Sequence, residues 1–141
     1  MQRALNYLIL VSIIFFNFSL TQDVYLSLDG ANLNYNSTSD IAGFQFNHDG
    51  CAYPASGGDA AANGFTVTGS ANVVLAFSFT GSVIPAGSGT LVVLGTDECT
   101  SESLTNYVFT NASAITLDVV FGSSEPPEPV VYSEIQEIFN Q

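Results

Sequence analysis

The strongest β-strand signal in the chain is the stretch Val73-Val74-Leu75-Ala76-Phe77-Ser78-Phe79. Its two faces are Val73, Leu75, Phe77 and Phe79 on one side, and Val74, Ala76 and Ser78 on the other. This alternation is typical of a strand, because successive side chains point to opposite faces of a sheet. Since the second face is also small or apolar, the pattern predicts a strand inside a sheet rather than at its edge.

Similar stretches on both sides of this one predict further short strands. They are 24–28, 33–35, 42–46, 65–67, 91–94, 107–109 and 115–121. Asp29-Gly30 is a hairpin-type dipeptide, and the Ala-, Gly- and Ser-rich segment 52–63 predicts a loop with about one helical turn. About eight strands at ~8 to 12 residue spacing are the signature of an all-β sandwich or barrel. Two sheets with Val, Leu and Phe on their inner faces would bury an adequate core.

The two ends of the chain differ in composition from this middle part. Residues 1–22 carry Arg3, an apolar run from Ala4 to Phe18 and a small polar end, the layout of a secretory signal peptide. The alternative is an uncleaved anchor, although the run is short for a span of ~20 residues. We therefore predict a secreted, extracellular or cell-surface domain over 23–122 that does not span a membrane after cleavage. Residues 123–141 predict an acidic, Pro-rich linker and a short tail.

The charge balance excludes several classes of partner. The net charge is −12, and Arg3 is the one Lys or Arg of the chain. Without it the domain cannot neutralise phosphates, which excludes nucleic acid and anionic surfaces. The favoured interpretation of the excess of carboxylates is that it keeps the domain soluble. The alternative is that the domain binds Ca²⁺. Its candidate ligands are Asp29, Asn32, Asn34 and Asn36. They lack EF-hand spacing, so a polar outer strand face is favoured and no cofactor is predicted.

Cys51 and Cys99 predict one disulfide, because an even cysteine count in a secreted domain favours pairing; two free thiols are the alternative. His48, the one histidine, lies three residues before Cys51, so a Cys–His nucleophilic pair is conceivable. No other catalytic motif accompanies it, and a polar turn histidine is the favoured interpretation. The sequence therefore predicts a protein that is not an enzyme.

Sugar recognition would need exposed aromatic rings. The chain has no Trp, and Tyr25 and Tyr53 are the candidate outward rings for a ligand face. Two stretches, Asn36-Ser37-Thr38 and Asn111-Ala112-Ser113, match the N-glycan acceptor pattern.

Five segments between Val24 and Gly122 carry a resemblance to a known family. They are Ile41–Phe46, Ala55–Gly58, Gly64–Val67, Val74–Gly81 and Ile84–Leu91. Together they resemble a cohesin-type module. The resemblance implies a two-sheet, antiparallel, jelly-roll-like β-sandwich related in fold to carbohydrate-binding modules. It also implies docking of an extracellular, dockerin-like protein through one sheet face, and it assigns no individual binding residue.

These observations together predict a cohesin-like, secreted binding module that mediates extracellular protein–protein attachment or cell adhesion. A carbohydrate-binding module that takes polysaccharide is the first alternative. A surface or structural protein that self-associates through strand edges is the second.

Overall fold

The computed structural model describes residues 22–122, which form nine strands and one short helix. The strands are β1 (Val24–Asp29), β2 (Asn32–Ser37), β3 (Gly43–His48), β4 (Thr66–Gly69), β5 (Val73–Phe77), β6 (Gly87–Val93), β7 (Leu104–Thr110), β8 (Thr116–Leu117) and β9 (Val119–Phe121). The helix, α1 (Gly58–Ala62), lies in the segment for which one helical turn is predicted. The predicted signal segment, apart from residue 22, and the predicted linker and tail at 123–141 lie outside the described residues.

The strands form two sheets, and the prediction of an all-β, two-sheet sandwich is confirmed. The four-stranded sheet has the order β6-β2-β1-β9, and the five-stranded sheet has the order β4-β5-β3-β7-β8. All neighbouring strands are antiparallel except β1 and β9, which are parallel. The predicted Asp29-Gly30 turn joins β1 to β2, with Gly30 at φ +58, a conformation that glycine adopts without strain.

Phenylalanine rings of the five-stranded sheet form the centre of the core. Phe44, Phe46 and Phe109 are buried, and the rings of Phe44 and Phe109 stack with centroids 5.3 Å apart. The four-stranded sheet contributes Leu26 and Leu33, both with no exposed surface. Interdigitation of these side chains from the two inner faces excludes water, which is the main source of stability in a sandwich.

The orientation of β5 corrects the expectation that its bulky residues face inward. Val74 and Ala76 are the buried residues, whereas Leu75 is 37% exposed and Phe79, just beyond the strand, is 81% exposed. The reason lies in the register with β3. The inward pairs are Phe44 with Ala76 and Phe46 with Val74, and the outward pairs are Gly43 with Phe77 and Gln45 with Leu75. A small residue on β5 leaves room for each large ring of β3 in the core.

The last predicted strand, 115–121, is two strands in two different sheets. β8 pairs with β7 in the five-stranded sheet, and β9 pairs with β1 in the four-stranded sheet. The chain crosses over at Asp118, whose carbonyl oxygen accepts a hydrogen bond from the Val24 amide at 2.9 Å. Ile115, the first residue of the predicted strand, is 59% exposed and precedes β8. The crossover closes one open side of the sandwich.

Helix α1 packs along β6 on the other open side. Ala60 is fully buried, and the carboxylate of Asp59 accepts a hydrogen bond of 2.8 Å from the Tyr35 hydroxyl. Gly58 makes this packing possible: a Cβ there would lie 2.5 Å from the Leu91 carbonyl oxygen, and its φ of +65° also favours glycine. α1 therefore covers a strand edge that would otherwise expose unpaired backbone groups.

The predicted disulfide between Cys51 and Cys99 is present. It joins the turn after β3 to the loop between β6 and β7, with the two Cα atoms 5.2 Å apart. No helix within residues 22–122 combines the length and the apolar character needed to cross a bilayer.

Because two tyrosines are fully or partly buried, we predict that the domain loses folding stability at alkaline pH. Burial raises the pKa of both Tyr35 and Tyr107 to about 12, and at Tyr35 the hydrogen bond to Asp59 and its negative charge add to this effect. A tyrosine in an unfolded chain ionises near pH ~10. The stability linked to these groups is therefore fully present below pH ~10 and is lost as the pH rises toward about 12.

We expect the free energy of unfolding, measured by urea titration across this range, to fall less steeply in Tyr35→Phe than in the wild type. At neutral pH the same variant loses one hydrogen bond to a carboxylate, ~1.5–3 kcal/mol. An alkaline loss of the same steepness in both proteins would contradict this assignment.

Candidate functional site

The outer surface of the five-stranded sheet carries a group of apolar side chains on β5 and β7, with the polar Gln45 of β3 between Leu75 and Val108. We call it the apolar face, and its members are Val73, Leu75, Phe77, Phe79 and Val108. Val108 on β7 is 47% exposed, and the Phe79 ring packs edge-on against Phe77 with centroids 4.8 Å apart. Single exposed apolar residues are common on proteins, but a clustered set on one sheet surface is typical of an interaction site.

Two shallow depressions flank Leu75 on this surface. One, of about 200 Å³, lies over β3 and is lined by Gly43, Gln45, Leu75, Phe77, Val108 and Thr110, among others. The other, of about 210 Å³, lies beside the β4–β5 turn and is lined by Thr68, Gly69, Ser70, Val73 and Leu75. The first exists because Gly43 places no side chain between Phe77 and Thr110, its neighbours on β5 and β7. Its lining is mostly apolar and also includes the Thr110 hydroxyl and the Gln45 amide group.

Acidic residues border one end of the apolar face. β3 ends and β7 begins at this end, where His48 pairs with Leu104 and the disulfide joins the adjoining loops. The acidic side chains are those of Asp49, Asp97, Glu98 and Glu102, all exposed. Because residues 22–122 contain no Lys or Arg, these charges have no basic counterpart within the described domain.

His48 is a buried structural residue, which corrects its interpretation as a polar turn histidine. It is 5% exposed at the end of β3. Nδ1 accepts hydrogen bonds from the amides of Gly50 and Ala52 at 3.0 and 3.3 Å, and Nε2 lies 3.1 Å from the carbonyl oxygen of Ser70. Because both ring nitrogens are engaged and Cys51 is oxidised, His48 and Cys51 do not form a nucleophilic pair.

Only one of the two predicted ligand-face tyrosines lies in a sheet. Tyr25 is on the outer side of β1, where it lines a polar groove of the four-stranded sheet. Tyr53 is 56% exposed in the turn after β3, with its ring near Gly69 on the opposite side of the sandwich. One ligand could not contact both rings.

The three candidate calcium ligands on β2 do not converge on one point. Asn32, Asn34 and Asn36 alternate along β2, so successive members are ~7 Å apart, whereas Ca²⁺ ligands lie at ~2.3–2.6 Å from the ion. The Asn34 side-chain oxygen accepts a hydrogen bond from Thr90 at 2.9 Å. Within residues 22–122 no group of three or more His, Cys, Asp and Glu side chains could hold a metal ion.

Comparison of the chain with protein-family models, with curated proteins and with solved structures finds no match. The surfaces themselves are therefore the basis for assigning a function.

The apolar face was not among the sequence-predicted sites, although a signal for it existed. β5 is apolar on both faces, so one apolar face had to turn outward unless both sides of its sheet were covered. Gly43 has a weaker signal, a glycine inside an otherwise regular strand. Val108 has none, because its outward direction depends on the pairing of β7 with β3.

Proposed function

We propose that the chain is a secreted, non-catalytic module that attaches to another extracellular protein through the apolar face. The exposed side chains of Leu75 and Val108, which flank Gln45 in the lining of the Gly43 depression, are the observation that carries this proposal. A depression bordered by aliphatic and aromatic side chains suits insertion of apolar anchors from a partner protein, since such anchors supply most of the binding energy at interfaces.

The partner's chemistry follows from the charges around the apolar face. Carboxylates lie at its disulfide end, and the described domain has no Lys or Arg to balance them. We therefore propose a partner surface with an apolar centre and Lys or Arg at one margin, because complementary charge speeds association and selects among partners. Docking through one sheet face is the mode of attachment that the cohesin resemblance implies, and β3 and β5 overlap two of the segments that carry the resemblance.

The proposed extracellular location is supported by the disulfide and by the signal-type layout of residues 1–22. Polymerisation through strand edges is less well supported. The edge strands β4 and β8 of the five-stranded sheet are only four and two residues long, and short edges are poor templates for pairing.

The test uses four forms of the full chain: wild type, Leu75→Glu, Gly43→Val and Ile115→Glu. Each form is immobilised and used to capture proteins from the medium of the cells that produce the chain. Leu75→Glu places a charge on the apolar face. Gly43→Val fills the depression, and its Cβ would meet only ordinary contacts of 3.5 and 3.6 Å. Ile115→Glu is the matched control, because Ile115 is also aliphatic and is even more exposed than Leu75 but lies outside the apolar face.

The captured protein is then identified, purified and titrated against each form by calorimetry. We expect the two apolar-face variants to bind at least ~10-fold more weakly and the control to bind like wild type. Binding by wild type should show a negative heat-capacity change and weaken with salt. Unchanged binding by Leu75→Glu and Gly43→Val, or association of the chain only with its own copies, would refute the proposal.

A further inference from the structure

A second candidate site lies on the opposite outer surface of the sandwich. It is a groove of about 400 Å³ across β1, β2 and β6 of the four-stranded sheet. Its outward side chains come from two cross-strand rows, Tyr25 with Asn36 and Ser88, and Ser27 with Asn34 and Thr90. We call this the polar groove. Sequence positions more than fifty residues apart meet in it, so no local motif announces it.

A β-bulge orients the centre of the polar groove. The pairing of β2 with β6 shifts register between Leu33 and Asn34, which places Thr90 opposite Asn34. The Thr90 hydroxyl donates to the Asn34 side-chain oxygen at 2.9 Å. This bond occupies the carboxamide oxygen and leaves the amide nitrogen of Asn34 with its two donor hydrogens for a ligand. Bulges that re-aim a side chain in this way are common beside binding sites.

The chemistry of the polar groove selects a neutral ligand. None of its lining residues is charged, and its outward side chains offer hydroxyl and amide groups beside the ring of Tyr25. An anion would need Lys or Arg, a cation would need carboxylates, and an apolar ligand would leave the polar groups without partners. A sugar suits both the polar groups and the aromatic ring of the groove. Its hydroxyl groups donate and accept hydrogen bonds, and its C–H face packs on an aromatic ring.

We propose that the polar groove binds a short stretch of a neutral carbohydrate, with Tyr25 as the stacking ring and Asn34 as a hydrogen-bond donor. This site is independent of the apolar face, which lies on the other sheet. The module therefore holds a glycan on one side and a protein on the other, and it links the two when both are bound.

An N-glycan acceptor pattern at the polar groove determines which cells should produce the protein for the test. Asn36 is exposed at the groove and begins the acceptor pattern Asn36-Ser37-Thr38, so an N-glycan on it would occupy the groove. The full chain is therefore produced in cells that do not N-glycosylate. It is run by affinity electrophoresis through gels that contain β-glucan, xylan, mannan or galactan, four neutral polysaccharides.

We expect at least one of these polysaccharides to retard the wild-type chain. Tyr25→Ala and Asn34→Asp should each weaken the retardation constant by ~10-fold or more. Tyr53→Ala, an exposed ring elsewhere, and Leu75→Glu on the apolar face should behave like wild type. Circular dichroism and thermal midpoints check that both groove variants are folded, and Asn34→Asp nearly preserves side-chain volume.

Two results would overturn the proposal. The first is that none of the four polysaccharides retards the wild-type chain. The second is retardation that persists unchanged in both folded groove variants, since the sugar would then bind elsewhere on the molecule.

Discussion

Replacing both Cys51 and Cys99 with alanine is expected to lower the free energy of unfolding by about 4 kcal/mol. The disulfide closes a loop with a sequence separation of 48 residues, and opening it gives the unfolded chain many more conformations. A domain of this size has a total stability of ~5–15 kcal/mol. Loss of the bond therefore removes a large part of it, and the variant should unfold at much lower denaturant concentration.

The single variants provide the control for this prediction. Cys51→Ala and Cys99→Ala each break the same bond, so each should lose about as much stability as the double variant, and the losses should not add. Urea titration of all three proteins gives the comparison. A double variant within ~1 kcal/mol of wild type would contradict a stabilising role for the disulfide.

Two phenylalanine replacements should show which surface of the five-stranded sheet faces the core and which faces solvent. Phe46→Ala removes a ring with no exposed surface, and we expect a loss of ~3–5 kcal/mol in the free energy of unfolding. Phe79→Ala removes a ring that is 81% exposed, and we expect a change within ~0.5 kcal/mol. The two residues have the same side chain and both belong to alternating apolar stretches of the sequence.

Denaturant titration of the two variants measures the difference directly. The inverse result, a large loss for Phe79→Ala and a small one for Phe46→Ala, would mean that the sheet faces are reversed. The apolar face would then be the core, and the docking proposal would have no surface to act through.

The order of elements could be predicted from local pattern. Period-two alternation located most of the strands, the Asp29-Gly30 dipeptide located the first hairpin, and the cysteine count gave the disulfide. Each of these predictions depends on residues close in sequence or, for the disulfide, on the single pairing that two cysteines allow. The direction of β5 does not, because both of its faces are apolar and the choice between them depends on the rings of β3 across the pair.

The functional surfaces were harder to predict for the same reason. Tyr25 was a candidate ring from sequence, but its neighbours Ser88 and Thr90 reach it only through the pairing of β6 with β2. Val108 lies beside the Gly43 depression only through the pairing of β7 with β3. His48 was misread because its hydrogen bonds go to backbone groups that no side-chain pattern reveals.

The most direct test of the account is photocrosslinking from position 108 in the full chain, secreted by its producing cells. A photoreactive amino acid replaces Val108, which is exposed in the apolar face, and Ser27 on the opposite sheet serves as the control position. We predict a covalent adduct from position 108, and not from position 27, to one other extracellular protein, at a surface with an apolar centre and Lys or Arg nearby. Adducts from position 108 only to residues 123–141 or to a second copy of the chain would contradict the account.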